Sequence, residues 1–205
     1  MISPYAVPPG SQKPKSGRGP LFVFLLALAG AVAFGLLAGT YLGPRLRERL
    51  AGGKFAVGES AGDFAAVDLA GREHRLSALR GKVVVLDFWA TWCGPCMNDL
   101  PAVLAAHQSF AGREDVVMIG ISLDEDKDDL GRIVAQKGIG WPQVFDQDQE
   151  KPVADIYGVV AIPYAVVIGR DGQIAARDVA GADLAAAVER ALAVQPGSPP
   201  GGGKA

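Results

Sequence analysis

The sequence predicts an α/β domain built on a mixed sheet, and three observations lead there. Apolar, β-branched runs of strand length recur at 83–88, 116–121 and 159–168, separated by segments with helical spacing of apolar residues. The last run carries Pro163 at the mouth of its strand, a place where a strand tolerates a residue without a backbone donor. A tight-turn signal, Arg170-Asp171-Gly172, then doubles the chain back into a further strand before a closing helix.

Five segments follow in order. Residues 1–20 are rich in Pro, Gly, Ser and Lys and are expected to be disordered. Residues 21–43 contain no charged side chain. At 1.5 Å per residue a helix of that length crosses a hydrocarbon core of ~30 Å. The expectation is a retained single-pass anchor, since the apolar region of a cleavable signal normally runs only ~7 to 15 residues. Ala27, Ala31, Gly35, Gly39 and Gly43 recur every four residues, a stripe on which two anchors would pack into a dimer. Lys13, Lys15 and Arg18 before the segment balance Arg45, Arg47, Arg49 and Lys54 after it, so charge alone does not orient it. Residues 44–54 form a basic linker, 55–194 the folded domain, and 195–205 a Pro/Gly-rich disordered tail.

Within the domain, Phe64–Leu69 and Arg72–Leu76 around Ala70-Gly71 suggest a β-hairpin. A one-turn connector, Ser77–Gly81, leads into the strand from about Lys82. After Cys96 a helix is expected to about Phe110, kinked at Pro101, which removes a backbone donor. Val116–Ile121 is a second buried strand. The acidic run Asp124–Asp129 lacks the spacing of an EF-hand loop, and its carboxylates suit the amino end of the helix Leu130–Lys137. A short strand after Trp141-Pro142 and a short helix over 152–157 precede the Pro163 strand. Gln173–Val179 is the returning strand and Ala182–Val194 the last helix.

Charge and cysteine content exclude several functions. From 55 to 194 there are 12 Lys or Arg against 21 Asp or Glu, a net of −9, so nucleic acid is not an expected partner. The chain has two cysteines, Cys93 and Cys96, and two histidines, His74 and His107, a poor supply for a structural zinc site. Met97 follows Cys96, so no C-x-x-C-H haem attachment is present. A disulfide across two intervening residues closes too small a loop to be valuable as a staple. A pair of sulfurs where a buried strand meets a helix start suits redox chemistry instead, because free backbone N–H groups and the helix dipole favour a thiolate there.

The stretch Asp87-Phe88-Trp89-Ala90-Thr91-Trp92-Cys93-Gly94-Pro95-Cys96, with Ile162-Pro163 some 70 residues later, resembles the active site of the thioredoxin superfamily. With its flanking segments the chain is similar to membrane-anchored thiol-disulfide oxidoreductases of the TlpA/ResA/CcmG type, over roughly Ala56 to Val194. The resemblance implies a thioredoxin-like fold with a central mixed sheet flanked by helices, an N-terminal hairpin and a preceding transmembrane helix. It implies a redox-active Cys93–Cys96 disulfide as the only cofactor, with Cys93 the exposed nucleophile and Cys96 the resolving thiol. Asp87 matches the buried acid of thioredoxin, whose raised pKa lets it take the Cys96 proton. Many TlpA-like relatives carry Asn there. Pro163 matches a cis-proline against the dithiol. Trp92, Gly94, Pro95, Ile162 and Tyr164 are implied to line the client site, and Trp89 to pack in the core. Asp99 stands where ResA-type proteins carry a Glu that modulates the thiols, with support of the helix's first turn as its alternative role.

The implied setting is a single-pass inner-membrane protein whose domain faces the periplasm or another extracytoplasmic side. A transmembrane thiol reductase would supply electrons, and client disulfides, in cytochrome c maturation or at copper-site cysteines, would receive them. A different reading is a Cu(I)-binding assembly factor gripping copper with the same cysteines, helped by Met97 or a histidine. A thiol peroxidase is disfavoured because Ala90, not Thr, stands three residues before Cys93.

Overall fold

Every residue of one strand, Val83–Trp89, is buried, and the domain is layered on its two faces. The structure is a computed structural model and describes residues 53–194. The expected anchor at 21–43, the tail at 1–20, most of the linker and the segment 195–205 lie outside the described residues. No helix among the described residues is long and apolar enough to cross a membrane.

The elements are β1 (Ala65–Val67), β2 (Glu73–Arg75), β3 (Val83–Trp89), α1 (Gly94–Phe110), β4 (Val116–Ser122), α2 (Lys127–Lys137), β5 (Gln143–Phe145), α3 (Val153–Tyr157), β6 (Tyr164–Ile168), β7 (Ile174–Arg177) and α4 (Gly181–Ala193). The central sheet has the order β5-β4-β3-β6-β7. β3 runs parallel to β4 and β4 to β5, whereas β6 is antiparallel to both β3 and β7. The sheet is mixed, as the alternation of strands and helices requires. Parallel strands need a crossover, and α1 and α2 supply the two here.

Side chains two apart along a strand share a face, and β3 shows the consequence. Val83, Val85 and Trp89 join a cluster with α1 and α4 through Leu100, Val103, Leu184 and Val188. Val84, Leu86 and Phe88 join the opposite cluster with Phe64, Val153 and Tyr157. Asp87 lies between Val85 and Trp89 in this alternation and so faces α1.

Local signals account for the element ends. Asp126 caps α2 by accepting the N–H groups of Asp128 and Asp129 at 2.8 and 3.0 Å, so this helix starts at Lys127, three residues before the periodicity begins. Gly138 ends it at φ 66°, a conformation that costs glycine little. The five-residue α3 is held by Asp146, which accepts the N–H groups of Val153 and Ala154 at 2.7 and 3.0 Å. α1 continues through Pro101.

β1 and β2 pair antiparallel as a two-stranded sheet of their own. Asp68 builds their turn. Its buried carboxylate accepts the N–H groups of Ala70 and Arg72 and the Arg72 Nε, each at 2.9 Å, and His74 Nε2 lies equally close. Gln149 ties the hairpin to the domain, accepting the Val67 N–H at 2.9 Å while its amide donates to the Phe145 carbonyl.

Burial alone pushes the Asp68 carboxyl up, but the hydrogen bonds from His74, Arg72 and Ala70 outweigh it and hold the group down at about 2. An acid with a lowered folded pKa stabilises the fold above its ordinary value and loses that contribution as pH falls through the folded one. Asp68→Ala is therefore expected to cost about 2 kcal/mol at pH 7, measured as a lower urea midpoint. The difference from the parent should shrink between pH 4 and pH 2.

Candidate active site

The site is assembled where β3 ends. Strand β3 delivers Trp89 and Ala90, the chain turns through Thr91 and Trp92, and α1 begins directly after Cys93. Cys93 and Cys96 are joined, with an S–S distance of 2.01 Å and Cα atoms 5.2 Å apart. Cys93 is the N-cap residue of α1, and its sulfur accepts the Cys96 N–H at 3.2 Å. Pro95 fits the first turn because its missing donor would find no partner inside the helix there. A sulfur at this point faces the unpaired N–H groups of the turn, which favour its anionic form once the bond is reduced.

Around the disulfide, Gly94, Pro95 and Pro163 are exposed, as is Trp92 at 64%. Ile162 is half-buried, and the Ile162–Pro163 peptide is cis. The structure corrects two expectations. Cys93 was expected to stand open and Cys96 to be covered, yet the two are 4% and 5% exposed. With the two sulfurs bonded and the Cys93 sulfur accepting the Cys96 N–H, both lie against the first helical turn. Tyr164 was expected to line the client groove. It is buried on the other face of the sheet, its ring 6.2 Å from that of Phe88, because the residue after Pro163 alternates away from α1.

Asp87, Trp89, Cys96, Asp99, Leu100, Val103 and Pro163 line one small cavity of about 10 Å³, space for at most one water. It brings Asp87, Asp99, Cys96 and Pro163 together across β3, α1 and β6. A larger cleft of about 480 Å³, walled by Arg170, Asp171, Arg190 and Ile174 among others, shares no residue with the site.

Burial pushes the Asp87 carboxyl up, and the charge on Asp99 adds to this, to about 7. The Asp99 carboxylate does not serve the first turn of its own helix. It accepts the N–H of Gly181, the first residue of α4, at 2.8 Å.

Two supports of the site carry no motif in the sequence. Asp124, 2% exposed, accepts the Thr91 N–H at 3.0 Å, the Thr91 hydroxyl at 2.6 Å and the Ser122 hydroxyl at 2.7 Å. It pins the turn that carries Trp92 and Cys93. Gln143 accepts the Trp89 indole N–H at 2.9 Å and donates to the Trp141 carbonyl. Gly120, opposite Asp87 on β4, leaves space for that amide. The only signal for Asp124 was its place at a strand end, directly after Leu123. His107 packs against Trp141 and Phe110, with ring centroids 4.7 and 5.6 Å away, and burial lowers its pKa.

An acid whose folded pKa is raised from 3.8 to about 7 costs the fold stability as pH climbs, because the unfolded chain ionises first. The cost grows from about pH 4 and is complete above pH 7. Asp87→Asn is expected to stabilise the oxidised protein at pH 8 by on the order of 4 kcal/mol and to do much less at pH 4. Urea unfolding at the two pH values measures this, and an equal effect at both would show that Asp87 carries no such penalty.

The profile of the AhpC/TSA family matches residues 57–177. The thiol-disulfide oxidoreductase ResA of Geobacillus thermodenitrificans is 32% identical over 152 residues, covering 74% of this chain and 81% of that protein. ResA of Bacillus anthracis is 33% identical over 154 residues, covering 74% and 82%. Among solved structures, the thioredoxin domain of a Bacteroides vulgatus thiol-disulfide oxidoreductase superposes with a TM-score of 0.60 at 28% identity, covering 67% of this chain and 98% of that one. A Chlorobium tepidum protein described as thiol:disulfide interchange protein DsbE gives 0.59 at 28%, covering 68% and 99%. With a cysteine pair at a helix start beside a buried acid and a cis-proline, the chain belongs to the AhpC/TSA family with its thioredoxin-like fold and is a ResA-like thiol-disulfide oxidoreductase.

Proposed function

We propose that this protein is a membrane-anchored reductant of client-protein disulfides on the extracytoplasmic side of the inner membrane. The observation that carries the reading is the Cys93–Cys96 pair at the start of α1, whose Cys96 lines a cavity with Asp87 and Pro163. The Cys93 thiolate attacks one sulfur of a client disulfide, forming a mixed disulfide and releasing the client's other sulfur as a thiolate. Cys96 gives its proton to Asp87 and attacks the Cys93 sulfur, which releases the second client thiolate and restores the Cys93–Cys96 bond. Two electrons pass from protein to client in each round.

A base near pH 7 suits this work, because a carboxylate at its ordinary pKa would be too weak to take a thiol proton. The raised Asp87 is matched to it. Exposed Trp92, Gly94, Pro95 and Pro163, with Ile162 beside them, supply the contact surface for an extended client segment. The uncharged stretch 21–43 is the anchor in this reading. A transmembrane thiol reductase returns electrons to the disulfide, and the clients are cysteines of cytochrome c maturation or of copper sites. The relatives named ResA support the oxidoreductase part of the reading.

The reading is tested by the midpoint potential of the pair and by trapping. A reductant should lie near thioredoxin, at about −270 mV, and a value near about −120 mV, that of a dedicated oxidant, would overturn the direction of electron flow. In the full chain, Cys96→Ser is expected to accumulate mixed disulfides through Cys93 that recover client proteins from the membrane fraction, whereas Cys93→Ser should recover none. Equal recovery from both variants would remove Cys93 as the attacking sulfur.

A further inference from the structure

The cavity beside Cys96 has two carboxyl groups on its wall, and the exchange chemistry gives a task only to Asp87. Asp99 is held from outside its own helix. The Gly181 N–H that it accepts is the first of α4, whose N-cap residue, Ala180, has no side chain able to cap it. Unpaired N–H groups and the positive end of a helix attract an anion, so α4 holds the Asp99 carboxylate at the cavity. Gly181 is buried and has no spare room. A methyl built on it would stand 2.8 Å from Val103 Cγ2 and 2.9 and 3.0 Å from the two Asp99 carboxylate oxygens. Among the described residues, Asp99 is the charge that acts on Asp87. In register with it are Gly120 on β4 and Ala165 on β6, and α1 contributes the disulfide-bonded Cys96 together with Asp99.

We propose that Gly181 is a positioning residue for the carboxyl pair beside the dithiol: its N–H, and its lack of a side chain, let the closing helix hold the Asp99 carboxylate beside Asp87. The inference rests on the reading in which Asp87 exchanges a proton with Cys96. It makes the amino end of α4, which touches neither cysteine, the element that sets when Asp87 gives up its proton. The backbone donor does the holding, so the residue must be one whose side chain leaves the carboxylate in place.

The test is a carbon-detected carboxyl titration of Asp87 in the oxidised full chain, solubilised in detergent, alongside the pH profile of insulin reduction. Asp99→Asn is expected to lower the Asp87 midpoint by about one unit. Gly181→Ala is expected to move it by half a unit or more, by about nothing once Asp99→Asn is present, because the methyl acts through Asp99. The proposal is overturned if Gly181→Ala leaves the midpoint in place, if it moves it equally in the Asp99→Asn background, or if Asp99→Asn itself has no effect. Should Gly181→Ala fail to fold, Gly181→Ala combined with Val103→Ala opens space on the far side of the methyl and carries the same comparison. A midpoint that moves as expected while the insulin profile stays fixed supports the positioning role and instead overturns proton exchange between Asp87 and Cys96.

Discussion

A carboxyl group in a dry place beside a pair of sulfurs is the constraint on which this domain depends. β3 is buried along its whole length, and Asp87 is the one ionisable residue on it. The low dielectric around it disfavours the charged form, which is why its proton is held to about pH 7. The same surroundings make it a base of the strength that a thiol needs. The site therefore requires an acid that the fold would be more stable without.

The surrounding structure keeps that arrangement in register. Reactive geometry is lost when groups drift by about an ångström, and polar ties add direction to the apolar packing around the disulfide. Asp124 fixes the turn ahead of Cys93, Gln143 fixes the Trp89 ring below it, and Gly181 fixes Asp99 across the cavity. Each tie pairs a buried or half-buried polar group with a partner, the condition under which such groups specify a structure rather than weaken it. All three start in segments distant from the cysteines in sequence, after β4, on β5 and on α4.

Chemistry and local order were legible in the chain itself. The strand-to-helix transition at Cys93-Gly94-Pro95-Cys96, the mixed sheet and the position of Pro163 follow from residue type, spacing and resemblance, because turn chemistry and apolar periodicity are short-range properties. The start of α2 was misplaced by three residues because apolar periodicity begins at Leu130, whereas the cap at Asp126 decides where the helix begins. Adjacency to Pro163 points Tyr164 to the groove. Its burial against Phe88 follows from strand alternation, and a run as uniformly apolar as β6 does not display its faces.

The sequence by itself determined the dithiol, the acid two residues from Trp89 and the α/β order, since these depend on neighbours within a few positions along the chain. Only the tertiary structure decided that both cysteines are covered when bonded, that Thr91 and Ser122 engage Asp124, the first acid of its run, and that Asp99 answers to Gly181. Those outcomes depend on which face of a strand meets which helix, and contacts between segments some 30 to 80 residues apart leave no periodic trace in either partner.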